Sequence, residues 1–236
     1  LSGKWLSSFP LITSSAALII YLLNFGSKSL FLEFTIAAAF FMVAAAIMPE
    51  SDIVMKNIGV NDTRFGIITI LRQMGTRIDL SNCREMAGEP VADIRVRYDS
   101  LVGIDVPMEQ VPLAIDEFPA IFIAASCATG VTRVTGASEL RVKESDRISA
   151  MADGLNILGI RALPTDDGIE ITGGKIGSGE VDSRGDHRVA MAFIIAALRS
   201  TGPIIVNDCE NIATSFPNFA QLAGVIGLDI ARGEMS

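Results

Sequence analysis

The sequence predicts an α/β domain in which one helix–strand–helix–strand unit is used three times around buried helices. Three observations predict it. An Ala-rich apolar segment of helical character recurs at 35–48, 117–128 and 187–199. Each is followed by a turn containing Pro or Gly, a β-rich run, and an amphipathic segment that closes on glycine. Half of the 236 residues are hydrophobic and 19% are charged, which suits a chain that buries a sizeable core.

In the first unit the Ala-rich helix gives way at Pro49-Glu50-Ser51 to a strand over 52–57. A helix over 63–74 then stops at Gly75, and strands follow at 76–80 and 93–98. The second unit repeats this through Thr129-Gly130, a strand at 131–135, a helix over 144–158 ending at Gly159, and strands at 160–163 and 168–172. The third runs through Gly202-Pro203, a strand at 204–207, a helix over 216–226 ending at Gly227, and a strand at 228–231. The first helix of each unit is apolar nearly all round and is expected to be buried. Alternating elements of this kind layer sheets on helices.

Composition excludes several classes. The net charge is −8 and no Lys/Arg run occurs, so nucleic acid is not an expected partner. Cys83, Cys127 and Cys209 are far apart, without CxxC spacing, which argues against a zinc site or disulfide framework. They read as buried free thiols in a reducing cytoplasm. Residues 9–25 are uncharged and apolar, at the lower edge of a bilayer span of about 17 residues. Pro10, Thr13, Ser14, Ser15 and Asn24 interrupt that run, so a buried segment is expected in preference to a membrane helix or signal peptide. Residues 1–33 stay unassigned as an atypical N-terminal segment, and 34–236 form the expected domain.

The densest charge cluster is 139–147, from Glu139 to Arg147, and it runs into the helix expected over 144–158. At ~100° per residue, Ile148, Met151, Leu155 and Leu158 form one stripe, with Asp146, Ser149, Asp153 and Asn156 opposite. Glu144 falls within the apolar stripe, and Lys143 and Arg147 lie along its edge. The pattern aims a carboxylate and two cations inward at a helix start, where free backbone N–H groups favour an anion. A solvated first turn, with Glu144 complementing the macrodipole, would show the same pattern. Asp186-His187-Arg188, with the only histidine, opens the third Ala-rich helix. Asp116 holds the equivalent place at the second, where a plain N-cap would also put an aspartate. Threefold packing of the units would bring Asp116, the 143–147 cluster and Arg188 onto one face.

The run Leu140-Arg141-Val142-Lys143-Glu144-Ser145-Asp146-Arg147 resembles the signature of the EPSP synthase (3-phosphoshikimate 1-carboxyvinyltransferase) family. Ile115-Asp116-Glu117-Phe118-Pro119 precedes it, and Asp186-His187-Arg188-Val189-Ala190-Met191 and Ala213-Thr214-Ser215-Phe216-Pro217 follow in the family's order. The resemblance implies one of the family's two domains, built of repeated βαβαββ units around buried helices, an inside-out α/β barrel. It implies transfer of the enolpyruvyl group of phosphoenolpyruvate to the 5-hydroxyl of shikimate-3-phosphate, without metal or cofactor. By the same resemblance, Asp116 accepts the 5-hydroxyl proton and Lys143 holds the shikimate ligand. Glu144 shuttles a proton at the enolpyruvyl carbons, and Arg147 and Arg188 bind phosphoenolpyruvate, whose anionic groups suit guanidinium forks. Glu139 and His187 are taken as supporting substrate-binding residues. No counterpart of the family's other domain is found, so activity is expected to need a complementary N-terminal domain. A non-catalytic folded remnant that binds anions or a partner chain is the alternative.

Overall fold

The computed structural model describes residues 4–8, 28–61, 65–86 and 88–233. The apolar run at 9–25 lies outside them. Three sheets surround three helices, α1 (Lys28–Ile47), α3 (Phe118–Ser126) and α5 (His187–Ala196), which pack on one another. Their sequences explain the burial. Every residue from Phe118 to Ser126, from Arg188 to Ala196, and from Ala38 to Ala46 is buried. Alanines let the helices approach closely, while Phe40 and Phe41 pack on Phe219 and the Phe193 ring lies against Gly154.

The first sheet has β2 (Asp52–Gly59) and β3 (Arg77–Met86) flanking β4 (Glu89–Arg97), all antiparallel. Ile53 and Ile78 both lie opposite Val96, and all three are buried. Helix α2 (Gly66–Gln73) joins β2 to β3. The second sheet copies this order, with β7 (Gly168–Thr172) between β5 (Val131–Val134) and β6 (Arg161–Thr165), and α4 (Arg147–Ile157) linking β5 to β6.

The third unit departs from the sequence reading. Its strands β9 (Ile204–Asn207) and β10 (Asp229–Gly233) flank β1 (Lys4–Ser8), antiparallel to both. The central place that β4 and β7 fill in the other sheets is thus filled from the far end of the chain. A fourth strand, β8 (Gly179–Asp182), adds parallel to β9 and was not expected. Two short helices, α6 (Asn211–Ser215) and α7 (Phe219–Val225), replace the single helix expected over 216–226. Helix α1 begins at Lys28, within the stretch left unassigned from sequence.

Among the described residues no helix is long and apolar enough to cross a membrane. None of the three cysteines forms a disulfide, and only Cys209 is fully buried. Cys83 is exposed, as is the whole stretch 81–85 of β3 around it.

Candidate active site

Three chain segments build one face. The first is the 3₁₀ turn Pro112–Glu117 that leads into α3. Asp116 does not cap that helix with its side chain; Glu117 holds the cap position, without a side-chain bond. The turn is seated against the start of α2, where a Cβ on Gly66 would lie 2.7 Å from the Leu113 carbonyl carbon. Only glycine permits that approach.

The second segment is the turn 143–146, between the 3₁₀ helix Ser138–Val142 and α4. The helix begins at Arg147, three residues later than the charge pattern suggests. The reason is Asp146, whose carboxylate accepts from the Ser149 backbone N–H at 3.0 Å and its hydroxyl at 2.9 Å, the signature of an N-cap. Arg141 anchors the turn by donating to Asp146 Oδ2 at 2.6 Å and to the Asp166 carbonyl at 2.8 Å. Glu144 therefore precedes the helix, and its side chain is 50% exposed instead of pointing into the core.

The third segment is the turn before α5. Ser183 Oγ donates to the Asn207 and Asp208 carbonyls at 2.9 and 2.6 Å, and Asn211 Nδ2 donates to the Gly185 carbonyl at 2.6 Å. Gly185 takes a φ of +72°. The turn delivers Asp186, which caps α5 by accepting from the Arg188 and Val189 backbone N–H groups at 2.9 and 3.3 Å.

All seven residues singled out from the sequence meet here. Asp116 Oδ1 lies 3.2 Å from the Arg147 guanidinium and 3.5 Å from Lys143 Nζ. Its Oδ2 lies 3.8 Å from Arg188, which also donates to the Asp116 carbonyl at 3.0 Å. Glu139 takes a hydrogen bond from Lys143. His187 Nδ1 sits 2.8 Å from Glu144 Oε2. Nδ1 donates when Glu144 is ionised and accepts when Glu144 carries the proton.

One part of the sequence argument fails. The N-termini of α4 and α5 are not free for an external anion, because Asp146 and Asp186 already take their backbone donors. Anion binding at this face rests on side-chain cations.

Electrostatics follows from the packing. Burial acts most strongly on Asp116 and raises its pKa, but Arg188, Lys143 and Arg147 together outweigh it and hold the carboxyl below the usual range. Glu139 and Asp116 raise the Lys143 ammonium against a smaller effect of burial. Burial, reinforced by Arg188, lowers His187 below its ordinary value, with Glu144 and Asp186 opposing. Burial also lowers Arg188, which remains a cation at neutral pH. Glu144, Asp186 and His187 bring ligand atoms within 4.8 Å of one another. Both Asp186 oxygens, however, already serve Arg147, Ser145 and the α5 backbone, a poor donor set for a metal.

Sequence reasoning named Asp186 beside His187 and Arg188 but gave it no role. Its buried carboxylate accepts from Arg147 Nε at 2.7 Å, with Arg147 2% and Asp186 0% exposed. The available signal was an aspartate immediately ahead of a helix start.

The model of the EPSP synthase (3-phosphoshikimate 1-carboxyvinyltransferase) family matches residues 35–222. A 3-phosphoshikimate 1-carboxyvinyltransferase of Methylococcus capsulatus is 63% identical over 194 residues, 82% of this chain and 44% of that protein. One of Nitrosococcus oceani is 60% identical over 198 residues, 84% of this chain and 45% of that protein. An EPSP synthase structure from Acinetobacter baumannii superposes with a TM-score of 0.82 at 53% identity, covering 84% of this chain and 47% of that one. The chain thus spans about half the length of the curated relatives it matches. By sequence and by fold, the chain belongs to the EPSP synthase family.

Proposed function

We propose that this chain supplies one wall of a site that transfers the enolpyruvyl group of phosphoenolpyruvate to the 5-hydroxyl of shikimate-3-phosphate, a step of aromatic amino acid biosynthesis. The observation that carries the reading is Asp116 facing three cations within 3.2–3.8 Å on one open face. Two polyanionic substrates need such a concentration of positive charge, and the acceptor hydroxyl needs a base beside it.

In this reading Arg147 and Arg188 hold phosphoenolpyruvate and Lys143 holds shikimate-3-phosphate, with Glu139 supporting Lys143. Asp116 takes the proton as the 5-hydroxyl oxygen bonds to C2, and Glu144, oriented by His187, delivers a proton to C3. Return of a C3 proton to Glu144, as the C2–O bond to phosphate breaks and phosphate departs, then forms the enol ether. The cations that keep Asp116 ionised are the ones the incoming anions claim. Binding therefore returns basicity to Asp116 at the moment it is needed. Asp116 is 38% exposed and Glu144 50%, so a second surface is needed to exclude water. We assign that surface to a complementary N-terminal domain, residues 34–236 to the family's C-terminal domain, and the reaction to the cytoplasm, where the free thiols fit.

Titration calorimetry of phosphoenolpyruvate into the chain tests the binding half of this reading. Saturable binding of about millimolar Kd is expected from half a ligand shell, lost in Arg147→Gln and in Arg188→Gln. Equal binding by both variants would move the anion site elsewhere.

A further inference from the structure

We propose that Asp186 is the positioning residue for Arg147, setting which guanidinium nitrogen reaches the reacting face. The inference rests on the functional reading above and adds a residue that it does not use. Arg147 is the first residue of α4, and its side chain is almost entirely enclosed. Asp186 Oδ2 accepts from its Nε at 2.7 Å, and Oδ1 lies 3.5 Å from its NH2. Two of the three guanidinium nitrogens are thereby directed at Asp186, and NH1 is left facing Asp116 at 3.2 Å.

The same carboxylate fixes the second cation. Oδ1 accepts from the Arg188 backbone N–H at 2.9 Å and from that of Val189 at 3.3 Å. Ser145 Oγ donates to Oδ2 at 3.3 Å. One enclosed side chain thus ties the loop before α4, the guanidinium of Arg147 and the backbone of Arg188 into a single unit. An N-cap alone does not call for this arrangement, because asparagine or serine caps as well as aspartate. Stability alone does not call for it either, because a buried ion pair is often no more stabilising than apolar residues of the same size. A fork that must present one chosen edge to an anion does call for a second anion behind it.

The test compares wild type, Asp186→Asn, Arg147→Gln and the double variant. Asparagine keeps a cap acceptor and removes the charge. Phosphoenolpyruvate binding by calorimetry is expected to weaken roughly tenfold in Asp186→Asn, and Asp186→Asn is expected to add nothing to the loss already caused by Arg147→Gln. Independent, additive losses, or wild-type affinity in a folded Asp186→Asn, would overturn the proposal. A second readout does not depend on the ligand: the Arg147 Nε–H resonance in ¹⁵N NMR. It is expected to exchange slowly in the wild type and to broaden or exchange quickly in Asp186→Asn. If the wild type binds no phosphoenolpyruvate yet shows this change, the substrate reading fails and the positioning role stands. If the resonance is unaltered, the positioning role fails whatever binds. Should Asp186→Asn not fold, the wild-type resonance decides alone, and fast exchange there would refute it.

Discussion

Arg147 and His187 are both enclosed titratable groups on this face, and their environments treat charge in opposite ways. Arg147 is placed between two counter-charges, Asp186 and Asp116. His187 is lowered by burial above all, with Arg188 adding to it, against the opposing pulls of Glu144 and Asp186. The unfolded chain takes up a proton near pH 6.5 where the native chain does not, so native stability falls as pH drops below that value. Asp116 is shifted downward, and its window lies below the ordinary carboxylate range, out of the way. Urea midpoints measured at neutral pH and at about pH 5.5 are therefore expected to fall more for wild type than for His187→Gln. The slope difference is bounded by about 1.4 kcal/mol per pH unit. Equal slopes would mean that the ring is not held neutral.

Helices α4 and α5 carry these groups, and one contact fixes how closely they cross. A Cβ added to Gly154 would lie 2.2 Å from Phe193 Cζ, with two more ring atoms at 2.7 and 2.9 Å. Glycine inside a helix ordinarily costs about 1 kcal/mol relative to alanine. Here the enclosed ring has no room to give, and overpacking costs about 1–3 kcal/mol. Gly154→Ala is thus expected to destabilise the protein in urea titration and to shift α4 with Arg147; a stabilised variant would show that the ring yields. At this scale much was legible. The runs at 168–172 and 204–207 form strands at those bounds, because β-branched residues between turn residues leave little choice. The start of α4 was misread because residues 144–146 continue the 3.6-residue pattern, while the Asp146 side chain diverts the Ser149 N–H. Strand β8 gave no signal: Val181 is its single buried residue. On the candidate face, the gathering of Asp116, Lys143, Glu144, Arg147 and Arg188 was legible through charge clusters and family resemblance. Asp186 was not, because its partner lies 39 residues away and only the packing of α4 on α5 brings them together.

The whole molecule is three copies of one unit whose buried helices hold three distant turns on a common face. The third copy is closed by β1, which pairs with β9 and β10 from the opposite end of the sequence. This pairing depends on long-range contacts that no local pattern encodes. Its active face gathers charge on one side only, leaving half-exposed carboxylates for another surface to cover. The chain is on this account half of a catalytic site. The direct test mixes it with a separately produced N-terminal half of one of its longer relatives and follows phosphate release from phosphoenolpyruvate and shikimate-3-phosphate. Neither part alone should turn over, the mixture should, and Asp116→Asn should slow the mixture by about 10²–10⁴-fold. Full activity from the 236-residue chain by itself, or a mixture of folded, associated halves that stays inert, would contradict the account.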